Sequence, residues 1–121
     1  MEPYKLFDAE YRFMNILWEL EPVNSTQLCR VCQQRLGWKK PTTYTVLRKL
    51  CEKGLFQNVN GVVSSVMSRE EFASRRSEQF VDNAFHGSLP AFVAAFTAQK
   101  PLSAQEAEEI QEMISKFRKG E

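Results

Sequence analysis

The sequence predicts a mainly α-helical protein in which three helices and a β-hairpin are followed by three further helices. Three observations lead to this prediction. Apolar residues recur at spacings of three and four, as on one face of a helix. An Asn-Gly pair at residues 60–61 lies between β-forming residues, which is a strong hairpin signal. Basic residues are concentrated between residues 35 and 53 rather than spread along the chain.

The first two predicted helices have recognisable beginnings and ends. Helix one should begin near Asp8 and end before Pro22, because an N-terminal carboxylate favours a helix start. Its apolar stripe consists of Phe7, Tyr11, Met14, Leu17 and Trp18. Helix two should begin at Asn24, with Gln27 completing a capping box, and should end at Gly37. Its inward-facing residues are Leu28, Cys32 and Leu36.

Helix three is predicted from the stretch WKKPTTYTVLRKLCEKGLF, residues 38–56. Pro41 fits the first helical turn and Gly54 fits the end. Val46, Leu47 and Leu50 form an apolar face. The other faces carry hydroxyls, one tyrosine and cations. Residues 35–53 hold six basic residues and one acidic residue, a net charge of +5, whereas residues 68–121 have a net charge of −2.

Three helices followed by a hairpin, within residues 1–67, are the order of elements in a winged helix-turn-helix domain. In that fold the third helix presents its outer face to the major groove of double-stranded DNA. Hydroxyls, a tyrosine and fixed positive charges suit phosphates and base edges. The residues predicted to contact DNA are Trp38, Lys39, Lys40, Thr42, Thr43, Tyr44, Thr45, Arg48 and Lys49.

The second part, residues 68–121, should form three helices with serine caps at Ser68, Ser88 and Ser103. These helices carry more large apolar residues than so short a segment can bury alone. The remedy that we expect is a homodimer, because twofold assemblies are the commonest closed oligomers. The alternative is that these helices fold back on the N-terminal domain. The predicted dimer-interface residues are Phe80, Phe92, Phe96, Ile110, Met113, Ile114 and Phe117.

Composition argues against several other classes of protein. No apolar run is long enough to span a membrane, and the N-terminus lacks the pattern of a secretory signal, so a cytoplasmic protein is expected. The Cys29-x-x-Cys32 spacing could supply two of the four ligands of a zinc site, but the inward placement of both residues on helix two favours core packing. No metal or cofactor is expected. One histidine and no catalytic motif argue against an enzyme.

The chain resembles the penicillinase-repressor family of the BlaI/MecI type, which also includes copper-responsive repressors. The resemblance is carried by LFDAEYRFMNILWEL, TTYTVLRKLCEKGLF, VMSREEF, FHGSLPAFVAAF and PLSAQEAEEIQEMI, in that order along nearly the whole chain. It implies a homodimeric repressor that reads a palindromic operator, with a membrane-bound sensor protease as a further partner in the members that are released by cleavage. By position, Thr42, Thr45 and Lys49 match the family's recognition helix, and Trp38 and Lys39 match its lead-in.

The sequence departs from the family pattern at three places. Members that respond to β-lactams are similar but carry an Asn-Phe pair, the cleavage site, where this chain has Ala95-Phe96. The copper-responsive branch has Cys-x-Cys pairs near the C-terminus, whereas this chain has no cysteine after Cys51. The hairpin is short and has no cation between Lys53 and Arg69, so it should contribute little to phosphate binding.

A second reading comes from a different functional class. A winged helix-turn-helix fold can serve as a protein-interaction module without specific DNA binding, because a fold does not determine a function. The basic stretch at residues 35–53 favours DNA. A steep dependence of duplex binding on salt concentration distinguishes the two readings.

Overall fold

The computed structural model describes residues 3–120, with side-chain surroundings for residues 8–120. It contains two compact units, Met1–Arg75 and Arg76–Glu121, which we call the N-terminal and C-terminal units. The elements are α1 (Pro3–Leu20), β1 (Val23–Asn24), α2 (Ser25–Leu36), α3 (Lys40–Glu52), β2 (Phe56–Val59), β3 (Val62–Ser65), α4 (Arg69–Phe85), α5 (Leu89–Gln99) and α6 (Ala104–Phe117). The predicted mainly helical class and the winged helix-turn-helix order are confirmed.

The first helix begins earlier than the sequence predicted. It starts at Pro3 rather than near Asp8, and a proline is tolerated in a first helical turn because no N–H bond is lost there. The side chain of Phe7, predicted to belong to the apolar stripe, lies outside the described residues. Met14 and Leu17 are buried as predicted.

One apolar core holds the N-terminal unit together, and every helix and strand from α1 to β3 contributes to it. Its largest fully buried side chains are Phe13, Met14, Leu17, Leu28, Cys32, Thr43, Leu50, Phe56 and Val63. Burying a large apolar side chain stabilises a fold by about 1.5–3 kcal/mol, so these contacts fix how α3 is oriented against α1 and α2.

The sheet has three antiparallel strands in the order β1-β3-β2. The hairpin turns at Asn60 and Gly61, whose φ angles of 54° and 82° are those of a tight primed turn. Val59 pairs with Val62 next to this turn. The predicted hairpin is confirmed, but β1 was not predicted. A strand of two residues has no alternating pattern, and it forms only because Val23 pairs with Val63.

The ends of α2 and α3 follow from local chemistry. The Asn24 side chain accepts a hydrogen bond of 2.8 Å from the backbone N–H of Thr26, so the predicted cap residue is correct. This bond goes to the second helical residue, not to Gln27 as a capping box requires. Gly37 ends α2 in the left-handed conformation, with φ 70°. Pro41 lies in the first turn of α3, as predicted.

The N-terminal unit includes the first two turns of α4. Ser68 caps α4 by accepting a hydrogen bond of 3.1 Å from the backbone N–H of Glu71. The Phe72 ring lies 5.6 Å from the Trp18 ring and 6.3 Å from the Tyr11 ring, measured between centroids. These contacts attach the start of α4 to α1.

In the C-terminal unit, Ser88 caps α5, and Ser103 with Glu106 forms a complete capping box at the start of α6. The rings of Phe80, Phe85 and Phe92 lie within 6.0 Å of one another, in edge-to-face geometry. None of the described residues of α4, α5 or α6 is fully buried. The unit therefore leaves much of its apolar surface exposed.

Candidate nucleic-acid interface

Helix α3 has a buried face and an exposed face, and the exposed face carries hydroxyls and cations. Leu47 and Leu50 are 2% and 1% exposed and hold the helix in the core. The exposed predicted residues are Lys39, Lys40, Thr42, Thr45, Arg48 and Lys49. The exposed set lies together on the helix surface because residues three and four apart are neighbours.

Thr43 was predicted to contact DNA, and the structure contradicts this. Its side chain is 0% exposed, because it precedes Leu47 by four residues and lies on the same buried stripe. Its Oγ1 atom has no hydrogen-bond partner. The Cys32 thiol, on α2, lies beside it: burial raises the pKa of this thiol, and a side-chain hydrogen bond with Thr43 lowers it to a smaller extent, but the geometry of that bond is too poor to satisfy the hydroxyl. Thr43 is therefore a core residue that carries an unsatisfied hydroxyl.

The lead-in to α3 is held by an aromatic contact. The Trp38 ring is half-buried, and its centroid lies 5.3 Å from that of Phe13 at an angle of 41°. Lys39 caps α3 with its backbone alone, since its side chain makes no capping hydrogen bond. The tryptophan thus fixes the chain, while the two exposed lysines that follow it stay free to reach a polyanion.

Two of the predicted polar groups already have partners within the chain. The Thr45 hydroxyl donates a hydrogen bond of 2.9 Å to the carbonyl oxygen of Pro41, which leaves its lone pairs as acceptors. The Tyr44 hydroxyl donates one of 3.2 Å to Ser25 Oγ. Tyr44 is half-buried and turns toward the start of α2, whereas Arg48, one turn later, is exposed.

A shallow groove between α3 and β2 borders this face. It is lined by Tyr44, Leu47, Arg48, Cys51 and Asn58. Asn58 was not among the predicted residues, because its place beside α3 depends on how β2 folds back along that helix. The Asn-Gly turn predicted the hairpin but not which residue of the hairpin faces the helix. Ser25 was missed for a similar reason, since its partner Tyr44 is distant in sequence.

The outer surface of the hairpin is neutral and partly apolar. Val59 and Val62 are 56% and 45% exposed. Beside them, the Gln57 amide donates a hydrogen bond of 3.1 Å to Ser64 Oγ. No cation lies between Lys53 and Arg69, so the positive charge of the candidate interface comes from α3 and its lead-in.

The three cysteines lie in the core of the N-terminal unit or pack against it. Cys29 and Cys32 are buried free thiols, as their inward placement predicted. Burial raises the pKa of the Cys32 thiol to about 11, and burial also raises the pKa of Cys51. A raised thiol pKa opposes the thiolate form that binds metals. Among residues 3–120, no three potential metal ligands lie together.

The residues predicted for a dimer interface fall into two groups in the C-terminal unit. Phe80, Phe92 and Phe96 are linked by ring contacts of 5.9 and 6.3 Å. On α6, Ile110, Met113, Ile114 and Phe117 follow one apolar stripe and are between 39% and 73% exposed. In the part of the chain that is described, no helix is both long enough and apolar enough to cross a membrane.

Comparison with known proteins assigns the chain to a family. The model of the penicillinase repressor family matches residues 6–116. The methicillin resistance regulatory protein MecI of Staphylococcus aureus is 24% identical over 117 residues, which cover 93% of this chain and 95% of that protein. The penicillinase repressor of Bacillus licheniformis is 22% identical over 118 residues, which cover 94% of this chain and 92% of that protein. The chain belongs to the penicillinase repressor family, a family of DNA-binding transcriptional repressors.

Proposed function

We propose that this protein is a homodimeric repressor that binds a palindromic operator with α3 in the major groove. One observation carries the proposal: Thr42, Thr45 and Lys49 form an exposed row on a helix whose opposite face is buried. The leucines on that buried face fix its rotation, so the row is presented to solvent as a rigid unit. Hydroxyls and a cation on a rigid helix suit both base edges and phosphates.

The proposed contacts divide into two roles. Lys39 and Lys40 precede α3 and are exposed, so we assign them to phosphates flanking the groove. Thr42, Thr45 and Lys49 lie further along the helix and are assigned to the groove itself. Arg48 borders the α3–β2 groove and is assigned to the DNA backbone on the hairpin side.

The proposed dimer forms through the C-terminal unit. Ile114 and Phe117 of α6 are 61% and 73% exposed, and soluble monomers rarely expose contiguous apolar patches of this kind. A second copy is the partner that we propose, because a twofold axis also presents two α3 helices to the two halves of a palindrome.

The decisive experiment measures duplex binding against salt concentration for the wild-type chain and for Lys49→Ala. If Lys49 contacts a phosphate, the variant loses affinity for all sequences, and the slope of log affinity against log salt decreases by about one unit. If it contacts guanine, about 1–3 kcal/mol is lost, and selectivity relaxes at one operator position.

Lys119→Ala is the matched control, because it removes the same charge from the exposed C-terminal end. The control should bind as the wild type does. Duplex binding by the wild-type chain that does not depend on salt would contradict the proposal and favour a protein-interaction module.

A membrane-bound sensor protease is the further partner that the family resemblance implies. We infer that the Ala95–Phe96 bond is not its cleavage site, because Ala95 stands where antibiotic-responsive members carry asparagine. The test is mass spectrometry of the protein from cells exposed to a β-lactam. The chain should show no fragment ending at Ala95, and recovery of that fragment would disprove the inference.

A further inference from the structure

Ser25, the first residue of α2, contacts two of the elements that form the candidate interface. Its Oγ accepts a hydrogen bond of 3.2 Å from the Tyr44 hydroxyl on α3. Its backbone N–H donates one of 2.8 Å to the carbonyl oxygen of Gly61 in the hairpin turn. A Cβ atom at Gly61 would lie 3.9 Å from the same Oγ. Ser25 therefore connects the start of α2 with α3 and with the tip of the hairpin.

The hairpin is consequently not a free arm. Its second strand, β3, is paired with β1 through Val23 and Val63, and its turn is bonded to Ser25. Among the residues of α3 that are not fully buried, Tyr44 is the only one whose side chain the described structure shows hydrogen-bonded to another element. The Thr45 hydroxyl, by contrast, bonds within its own helix. The Tyr44–Ser25 bond is thus a polar restraint on the rotation of α3 about its axis.

We propose that Ser25 is a positioning residue for sequence recognition, acting through Tyr44 on α3 and through Gly61 on the hairpin. The inference rests on the proposed operator binding. Base contacts require side chains to be held within about 0.5 Å of their productive positions, whereas phosphate contacts by flexible lysines tolerate more movement. Loss of the Ser25 hydroxyl should therefore reduce binding to the preferred sequence more than binding to arbitrary sequence.

The experiment uses the full chain and the duplex that the wild-type protein enriches from a random-sequence library, with a mixed-sequence duplex as reference. Ser25→Ala and Tyr44→Phe should each weaken binding to the enriched duplex about two- to tenfold, as expected for one hydrogen bond. The double variant should be no weaker than either single variant, because both remove the same bond. Binding of Ser25→Ala to the mixed-sequence duplex should be unchanged.

Two controls separate positioning from simple destabilisation. Ser25→Thr retains the hydroxyl and should restore wild-type binding, and Thr26→Ala removes an exposed hydroxyl from the same helical turn without breaking a bond. Thermal unfolding of each variant reports its stability independently of DNA.

Each other pattern overturns the inference. If only Tyr44→Phe weakens binding, the tyrosine hydroxyl contacts DNA itself. If only Ser25→Ala does, Ser25 does not act through Tyr44. Additive losses, or equal losses on both duplexes, rule out a shared positioning role. A wild-type chain that enriches no sequence disproves the proposed function, and the inference with it.

Discussion

The indole Nε1–H of Trp18 donates a hydrogen bond of 3.0 Å to the backbone carbonyl oxygen of Met67. This bond joins the end of α1 to the residue that precedes the Ser68 cap of α4. The Arg69 guanidinium lies 5.6 Å from the centroid of the same indole ring, and the Phe72 ring packs beside it. The start of α4 is therefore a structural part of the N-terminal unit.

Phe72→Ala should lower the free energy of unfolding of the N-terminal unit by about 2 kcal/mol, because a half-buried aromatic ring loses its contacts with α1. Chemical denaturation followed by tryptophan fluorescence measures this, since Trp18 lies in the contact. Ala73→Ser, at an exposed neighbouring position, is the control and should change stability little. An unchanged denaturation midpoint for Phe72→Ala would mean that α4 does not support the unit.

Features whose signal is local could be predicted from the sequence. The Asn60-Gly61 turn and the Ser103 cap of α6 each depend on residues within four positions of one another, and both predictions are confirmed. Features that depend on residues distant in the sequence could not be predicted. The strand β1 exists because Val23 meets Val63, and no pattern in two residues indicates that pairing.

The candidate interface shows the same division. The exposed row on α3 followed from helical periodicity, but the placement of Thr43 depended on the rotation of the helix. The hydroxyl of Thr43 made it resemble the exposed Thr42 and Thr45, whereas its spacing of four residues before Leu47 places it on the buried face. Ser25 and Asn58 were missed because they belong to other elements, and only the folded structure brings them beside α3.

Thr43→Val should leave stability unchanged or raise it by about 1 kcal/mol. Valine has nearly the same shape and removes a buried hydroxyl that has no hydrogen-bond partner. Duplex binding should not change, because the side chain is fully buried. Thr42→Val, at the exposed adjacent position, should instead weaken duplex binding. A clear loss of stability in Thr43→Val would show that the hydroxyl is satisfied, with the Cys32 thiol as its partner.

The Cys32 thiol should make the protein less stable in alkaline solution. Burial raises its pKa from 9.0 to about 11, so in that interval the unfolded state loses its thiol proton more readily than the folded state. The contribution of the protonated Cys32 thiol to the free energy of unfolding is fully present below about pH 9 and is lost as the pH rises through about 11. Two pKa units correspond to about 2–3 kcal/mol.

Cys32→Ala tests this expectation. The variant should be less stable at neutral pH because of the cavity, but its unfolding free energy should fall less steeply between pH 9 and 11 than that of the wild type. Denaturant titrations at several pH values give both quantities. Parallel pH profiles for the two proteins would show that the thiol does not titrate differently on folding.

Phe117→Glu should convert the proposed dimer into a monomer, because an unpaired charge would enter an apolar seam. Sedimentation at micromolar concentration distinguishes the two states. Gln111→Glu adds the same charge at an exposed polar position of α6 and should remain dimeric. A wild-type chain that sediments as a compact monomer would remove the second copy from the proposal.

Separating the two N-terminal units should abolish tight operator binding even though each unit stays folded. Two linked units gain roughly 10²–10⁴ in affinity when both half-sites are engaged at once, and half-sites lie about 34–36 Å apart or a multiple of that distance. The neutral hairpin adds no cation to compensate for the loss of a second unit. A chain ending after Arg75, which keeps the Phe72 contacts, should therefore bind the operator at least ~100-fold more weakly than the full chain. Full-length Phe117→Glu should show a similar loss, because it breaks the same linkage without shortening the protein. If the truncated chain binds as tightly as the full chain, a single unit supplies the affinity, and the C-terminal helices serve another purpose.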